Sequence, residues 1–302
     1  MKHLRLFEYI DAVVRAGSIR RAAESLYITP SALDRRIQQV EEELDCAIFE
    51  RHAKGMRLNA AGEIFLGYVR RHLADGDCMR SEIEGLKGLR RGRVEVVASQ
   101  ALATRFLPAQ INRFRESFPG VSFGVRIVSR QESLAALMAY EADLALVVFP
   151  KLNSEILQIV TVAEPVMAMM SRQHPLAGKP ELRFSDCLNY PLVLPGPELG
   201  ARELLDTVLL RRPSNVQIIA ETNSFELMRG LLADSQSIGF QVSIGAPSQN
   251  EHSDLFSRPV SQRDLPSAPL VCAQLRSRTL SVAAAKFAEQ VSCELNSKAP
   301  IG

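Results

Sequence analysis

Apolar side chains recur at helical spacing from the start of the chain. Leu6, Ile10, Val13 and Val14 mark one face of a first helix, which Gly17-Ser18 stops while capping the next. Ala22, Ala23 and Leu26 then form a short apolar face. Leu33, Ile37, Val40 and Leu44 form a longer one, at steps of four, three and four. Between them Tyr27-Ile28-Thr29 is a break, with Thr29 placed as the N-cap of the second helix and Pro30 where a first turn tolerates proline. Two helices joined this tightly, the first short, have the spacing of a helix-turn-helix over about residues 18–37.

The geometry suits a duplex. The first helix braces across the backbone while the N-terminal half of the second enters a major groove about 12 Å wide. Ala22 and Ala23 let the two helices approach closely. The DNA-contact candidates are Ser18 and Arg20 at the first helix, and Thr29, Pro30, Ser31, Asp34, Arg35, Arg36 and Gln38 on the second. Spacing alone fits a plain helical hairpin equally well, but the following text tips the balance. Residues 46–59 have β-prone ends around a basic tip containing Gly55, which predicts a short wing carrying Arg51, His52, Lys54 and Arg57. A basic wing can grip phosphates or enter the minor groove.

A periodicity of another kind follows. Phe65, Val69, His72, Gly76, Met79, Ile83 and Leu86 keep a 4-3-4-3-4-3 spacing, a heptad seam weakened in its middle by His72 and Gly76. The stripe is too long for a sixty-residue domain to cover, so another helix should pack on it; a core helix within one chain is the alternative. Gly85, Gly88 and Gly92, with Arg90, Arg91 and Arg93, read as a hinge. Beyond it strands and helices alternate. Strands are expected at 94–98, 121–128, 144–149, 156–162, 191–194, 216–219 and 270–275, with helices at 103–117, 199–211, 224–233 and a last one ending near Leu295. Alternation of this kind argues for parallel, doubly wound sheets, and some 210 residues argue for two of them, with crossings near 161–166 and 265–270.

Composition narrows the class. The 302 residues are 46% hydrophobic and 23% charged, which excludes a mostly disordered chain. Lys plus Arg number 36 against 34 Asp plus Glu, so a nucleic-acid site must be a local patch rather than a global field. Cys46, Cys78, Cys187, Cys272 and Cys293 are scattered with no zinc spacing, as expected of reduced thiols in the cytoplasm. Arg5, Glu8 and Asp11 interrupt the N-terminal apolar run, so neither a signal peptide nor membrane association is expected. No nucleophile-elbow, zincin, P-loop or dinucleotide-binding motif occurs, and His174 beside Pro175 reads as a satisfied surface histidine. No catalytic residue, metal site or cofactor is expected.

Residues 4–62 contain L-x-x-F, GS-x-x-x-AA-x-x-L, SAL-x-x-x-I-x-x-V-E-x-E-L and IFER, ending in AAG. In these motifs the chain resembles the LysR-type transcriptional regulators. The departures are Pro30 where glutamine is commonest, Asp34 where serine is usual, Asp45 for glycine and Asn59 for threonine. Pro30 and Asp34 put the operator sequence in question rather than DNA binding. The resemblance implies an α/β protein in three parts: a winged helix-turn-helix at 1–60, a linker and dimerisation helix at 61–89, and a two-subdomain, periplasmic-binding-protein-like effector domain at 90–302. Subdomain I would take 90–162 and 268–302, and subdomain II 163–267.

It further implies a bacterial regulator that binds double-stranded operator DNA and RNA polymerase. Its linker helices would pair antiparallel in a dimer of dimers. A small-molecule effector would sit at the carboxyl ends of strands. The candidate contacts are Ser99, Gln100, Ser129, Arg130, Phe149, Gly196, Pro197 and Asn223, and Arg130 with the helix N-termini favours an anion. Ser235 and Ser237 replace glycines common in the family, which suggests an altered cleft-side backbone there. The rival readings are a constitutive DNA-binding protein whose C-terminal domain only oligomerises, and a solute-binding or enzymatic domain with an incidental helical N-terminus.

Overall fold

The computed structural model describes residues 2–52, 55–85, 91–148, 150, 152–210, 216–247 and 254–298. The chain forms two compact units, residues 1–87 with 278–282, and residues 88–277 with 283–302.

The first unit runs α1 (Lys2–Ala16), α2 (Ile19–Ser25), α3 (Pro30–Glu43), β1 (Phe49–His52), β2 (Gly55–Leu58) and α4 (Ala60–Gly85). Gly17, at φ +60°, turns the chain out of α1. Ala22 and Ala23 are fully buried, as are Leu33 and Ile37 one helix on, so α2 and α3 meet through small side chains on one side and branched ones on the other. Each of the large ones contributes roughly 1.5–3 kcal/mol by leaving water. Thr29 caps α3, its hydroxyl accepting from Ala32 N at 3.3 Å. Leu44 departs from the expected apolar face: it is the C-cap of α3 and lies 42% exposed, because the helix ends at Glu43 and Asp45 turns away at φ +50°. That left-handed conformation explains why a glycine suits position 45, and aspartate tolerates it better than most side chains.

Asn59 does what a threonine would do at the start of α4, its Oδ1 accepting from Gly62 N at 2.8 Å. The heptad seam expected on α4 is divided. Val69 is fully buried in the first unit's own core and Phe65 packs against it, because α1 lies along α4 and is pinned there by Asp11 to Arg70 at 2.9 Å. The large apolar groups left exposed on α4 are Ile64, Tyr68, Met79 and Ile83. Leu86, Gly88 and Arg90 lie outside the described residues. Gly92 and Arg93, assigned above to a hinge, instead pair with Val121 and Ser122 in a sheet.

The second unit contains β3 (Gly92–Ala98), α5 (Phe106–Ser117), β4 (Val121–Ile127), α6 (Arg130–Met138), β5 (Leu144–Val148), β6 (Ile156–Glu164), β7 (Val166–Ser171), α7 (Phe184–Cys187), β8 (Leu192–Pro195), α8 (Gly200–Leu209), β9 (Ile218–Thr222), α9 (Phe225–Leu232), β10 (Ile238–Val242), β11 (Leu255–Pro259), β12 (Ala268–Leu275) and α10 (Val282–Lys298). Among the described residues they build two five-stranded sheets, in orders β4-β3-β5-β12-β6 and β11-β7-β10-β8-β9.

The sheets are mixed rather than purely parallel. β3 runs parallel to β4 and β5, and β8 parallel to β9 and β10, but β12 is antiparallel to β5 and β6, and β7 to β10 and β11. Antiparallel neighbours arise because β6 and β12 are the segments that leave and re-enter the first sheet. The chain passes from β6 to β7 at Pro165 and returns between β11 and β12 over residues 260–267. In the first sheet α5, β4 and α10 share an aromatic core, where Phe287 meets Phe114 and Phe123 edge-on at 5.4 and 4.8 Å.

Candidate DNA interface and effector cleft

The exposed side of α3 carries Pro30, Ser31, Arg35, Arg36 and Gln38, opposite buried Leu33, Ile37 and Val40. Thr29 is exposed at its start, and Arg36 reaches Gln39 at 3.0 Å. Ser18 holds the N-cap position of α2 without a side-chain cap bond, and Arg20 is exposed beside Glu24 at 3.4 Å. β1 and β2 form the wing, pairing Phe49 with Leu58 through His52 with Gly55. Arg57 projects from it into solvent; Lys54 lies outside the described residues.

Three contacts fix the wing. Glu41 Oε1 on α3 accepts from Ile48 N at 2.8 Å and Phe49 N at 3.1 Å. Met56 N donates to Gly17 O at 3.0 Å. Arg51 Nη2 donates to Asp34 Oδ1 at 2.7 Å. Gly55, at φ +133°, belongs to the same junction, since a Cβ there would stand 2.3 Å from Gly17 O. Asp34 is therefore engaged by Arg51 and, at 3.4 Å, by Gln38 Nε2, instead of projecting free toward a groove.

In the second unit, the carboxyl ends of β3, β5, β8 and β10 converge on a cleft lined by Ser99, Gln100, Ala101, Val128, Arg130, Val148, Glu198, Leu199, Gly200, Ala201, Phe225 and Val242. Strand ends at such a switch point are where doubly wound sheets bind ligands. Hydrogen bonds span the cleft. Arg130 Nη1 meets Glu203 Oε2 at 2.5 Å, and Phe225 N donates to Gln100 Oε1 at 3.1 Å. Arg105 donates to Ile244 O and Ala246 O. The cleft is narrow, with about 20 Å³ of space, room for one water. Leu199 gives α8 no side-chain cap, and the first residues of that helix, Gly200 and Ala201, line the cleft.

The helix-turn-helix model of the lysR family, described as a bacterial regulatory helix-turn-helix protein, matches residues 4–63. The LysR substrate binding domain matches residues 87–296. The chain belongs to the LysR family of transcriptional regulators. It is a DNA-binding regulator with an effector-binding domain, not an enzyme. A probable RuBisCO transcriptional regulator of Gracilaria tenuistipitata var. liui is 27% identical over 243 residues, 78% of each chain. A full-length OxyR variant from Pseudomonas aeruginosa shares the fold with a TM-score of 0.75 at 20% identity, over 97% of this chain and 94% of that one. Full-length CbnR complexed with its target DNA shares it at 0.62 and 20% identity, over 95% and 98%.

Placed in this LysR-type regulator, the sequence candidates for the effector divide. Ser99, Gln100 and Arg130 line the cleft. Ser99 Oγ also accepts from Val148 N at 3.1 Å, which ties the ends of β3 and β5 together. Ser129 is instead spent on a capping box with Glu132, whose carboxyl that box holds below the usual carboxylate range. Gly196 and Pro197 make the turn before the lining, which begins at Glu198. Asn223 is exposed; Ser224 caps α9, accepting from Leu227 N at 3.2 Å, and Phe225 reaches the cleft. Phe149 lies outside the described residues.

Ser235 and Ser237 sit before β10, whose opposite, carboxyl end faces the cleft, so they do not shape it. His174 is buried rather than superficial, 4% exposed, with Nδ1 accepting from Leu176 N and Nε2 at 3.2 Å from Gln236 O. Burial depresses its pKa. Glu41, Glu203 and Phe225 were missed as site residues. Only Glu41, inside the V-E-x-E-L motif, had a signal in the sequence.

Proposed function

We propose that the regulator is switched by a small carboxylate-bearing effector held between its two sheets. The observation that carries this reading is the Arg130 guanidinium, 17% exposed and lining the same cleft as the uncapped start of α8. A carboxylate placed there would take a charge-assisted bond from Arg130, amide bonds from the α8 N-terminus and a hydroxyl bond from Ser99. Binding would separate or re-angle the sheets, and the change would reach the winged helices and alter how they sit on bent DNA.

The apolar groove of the first unit, about 600 Å³ between Leu6, Phe7, Leu44, Ile48, Ile64 and Tyr68, together with Met79 and Ile83, supports self-association through α4 and hence a homo-oligomer, of which a dimer of dimers is the expected form. RNA polymerase is the machinery acted on, in the cytoplasm. Among the described residues no helix is long and apolar enough to cross a membrane.

The test is a thermal-shift panel of small carboxylates with matched neutral analogues, followed by gel shifts on the DNA upstream of the gene. A native-state ligand at a hundred times its Kd adds about 2.7 kcal/mol of stability. Ser99→Phe should abolish the shift while leaving basal DNA affinity within a few-fold. One observation favours a second reading: Glu203 already neutralises Arg130, as a constitutive regulator would require. Glu203→Gln separates the two. Carboxylate binding by the wild type that tightens in Glu203→Gln supports the effector site, whereas indifference of the wild type to every carboxylate supports the constitutive one.

A further inference from the structure

The recognition helix carries a carboxylate on the side meant to approach a polyanion. Asp34 lies one turn into α3, between exposed Ser31 and Gln38, and its side chain is 29% exposed. On its own it would oppose binding to any duplex, because phosphates dominate affinity and repel it. It is not on its own. The wing's Arg51, 52% exposed, crosses to it at 2.7 Å, and Gln38 reaches its other oxygen at 3.4 Å, one helical turn on.

From this triad we infer that Asp34 is a specificity-determining residue that reads an amino-donating base and withholds Arg51 from phosphates elsewhere. A carboxylate has about four lone-pair sites, and the triad uses two of them. The remainder can accept from cytosine N4, the pairing that carboxylates make in the major groove, or from adenine N6. Against guanine O6 or thymine O4 the same oxygens face an acceptor and stay unpaired, a repulsive element that discriminates. On such a sequence a phosphate can recruit Arg51 only by leaving Asp34 uncompensated beside the backbone. Non-specific DNA is thereby penalised, while a donor base in register leaves the ion pair intact.

The inference rests on DNA binding by the helix-turn-helix, and the experiment keeps the two apart. Full-length protein is used to select from a randomised duplex pool, and its affinity for a mixed-sequence duplex is followed against salt. The wild type should enrich a cytosine or adenine at one position per half-site. Asp34→Ser should lose that preference alone, keep the others, and bind the mixed duplex several-fold more tightly with a salt slope steeper by about one, as Arg51 turns to phosphate. Arg51→Ala should then cost more affinity for mixed DNA in the Asp34→Ser background than in the wild type, a non-additive cycle. Asp34→Asn, nearly isosteric, replaces the serine variant if the latter melts early.

Unchanged base preference together with unchanged mixed-sequence affinity would overturn the inference. So would additive effects of the two substitutions. A wild type that enriches no sequence at all would remove DNA reading itself, and the inference with it.

Discussion

Arg35 and His174 show how differently two basic residues are used. Arg35 is exposed on α3, opposite Leu33 and Ile37. Replacing it with alanine removes no buried contact, so Arg35→Ala should weaken operator binding by about 1–3 kcal/mol if it reads a base, with the thermal midpoint nearly unchanged. Gel shift and calorimetry on the same protein check both halves. His174 is sealed in with both ring nitrogens engaged, and burial lowers its pKa. As pH falls through about 6.5 the unfolded chain takes up a proton that the folded one refuses, so stability declines from there down to the folded pKa. Denaturation midpoints measured between pH 7.5 and 5 should show that slope, and His174→Gln should flatten it. Cys187 and Cys272, pushed up to about 12 by burial, stay protonated throughout and contribute nothing to this window.

The wing is the element most exposed to backbone error. Gly55→Ala would force a Cβ to within 2.3 Å of Gly17 O at a φ of +133°, which strains both the hairpin and the α1–α2 turn. A loss on the order of 1–3 kcal/mol is expected, with DNA affinity falling as the wing detaches; urea denaturation and gel shift measure the two.

Elements such as α3 were legible because capping, proline placement and a four-three-four apolar rhythm all agree. β7, β10 and β11 were not. Their runs, Val166–Ser171, Ile238–Val242 and Leu255–Pro259, are five or six residues of mixed Met, Phe, Gln and Arg, without alternation or strong turn signals to bracket them. α6 had its signal in Ser129 and Glu132, but its residues Arg130–Met138 bury only one short strip, Ser133, Ala136 and Leu137. In the site, single strand ends could be read locally, which found Ser99, Gln100 and Arg130. The Arg130–Glu203 and Arg51–Asp34 pairs could not, since they join residues 73 and 17 positions apart that only the fold brings together.

For the whole molecule, assembly should follow the apolar groups that one chain leaves uncovered. Ile83 is 53% exposed, so Ile83→Asp costs the single chain little, yet it would place a charge in an apolar contact between two copies. Light scattering should report smaller particles and gel shifts should lose cooperativity. A native-sized oligomer would mean that association runs through the second unit.

The passage between the two sheets has one more consequence. β6 continues into β7 as β11 continues into β12, and the neighbours β6 and β12 in one sheet lead to the neighbours β7 and β11 in the other. Val260 N donates to Val166 O at 2.9 Å where β11 leaves the second sheet beside the start of β7. The two connections therefore lie side by side at one edge of the sheets, one residue long at Pro165 and eight residues long at 260–267. A pair of neighbouring crossings is the usual place for a hinge, so a change in the angle between the sheets is the motion expected of this connection. If the proposed effector acts by setting that angle, molecules of equal girth and unlike chemistry should produce similar output, and a reporter assay over such a series checks it.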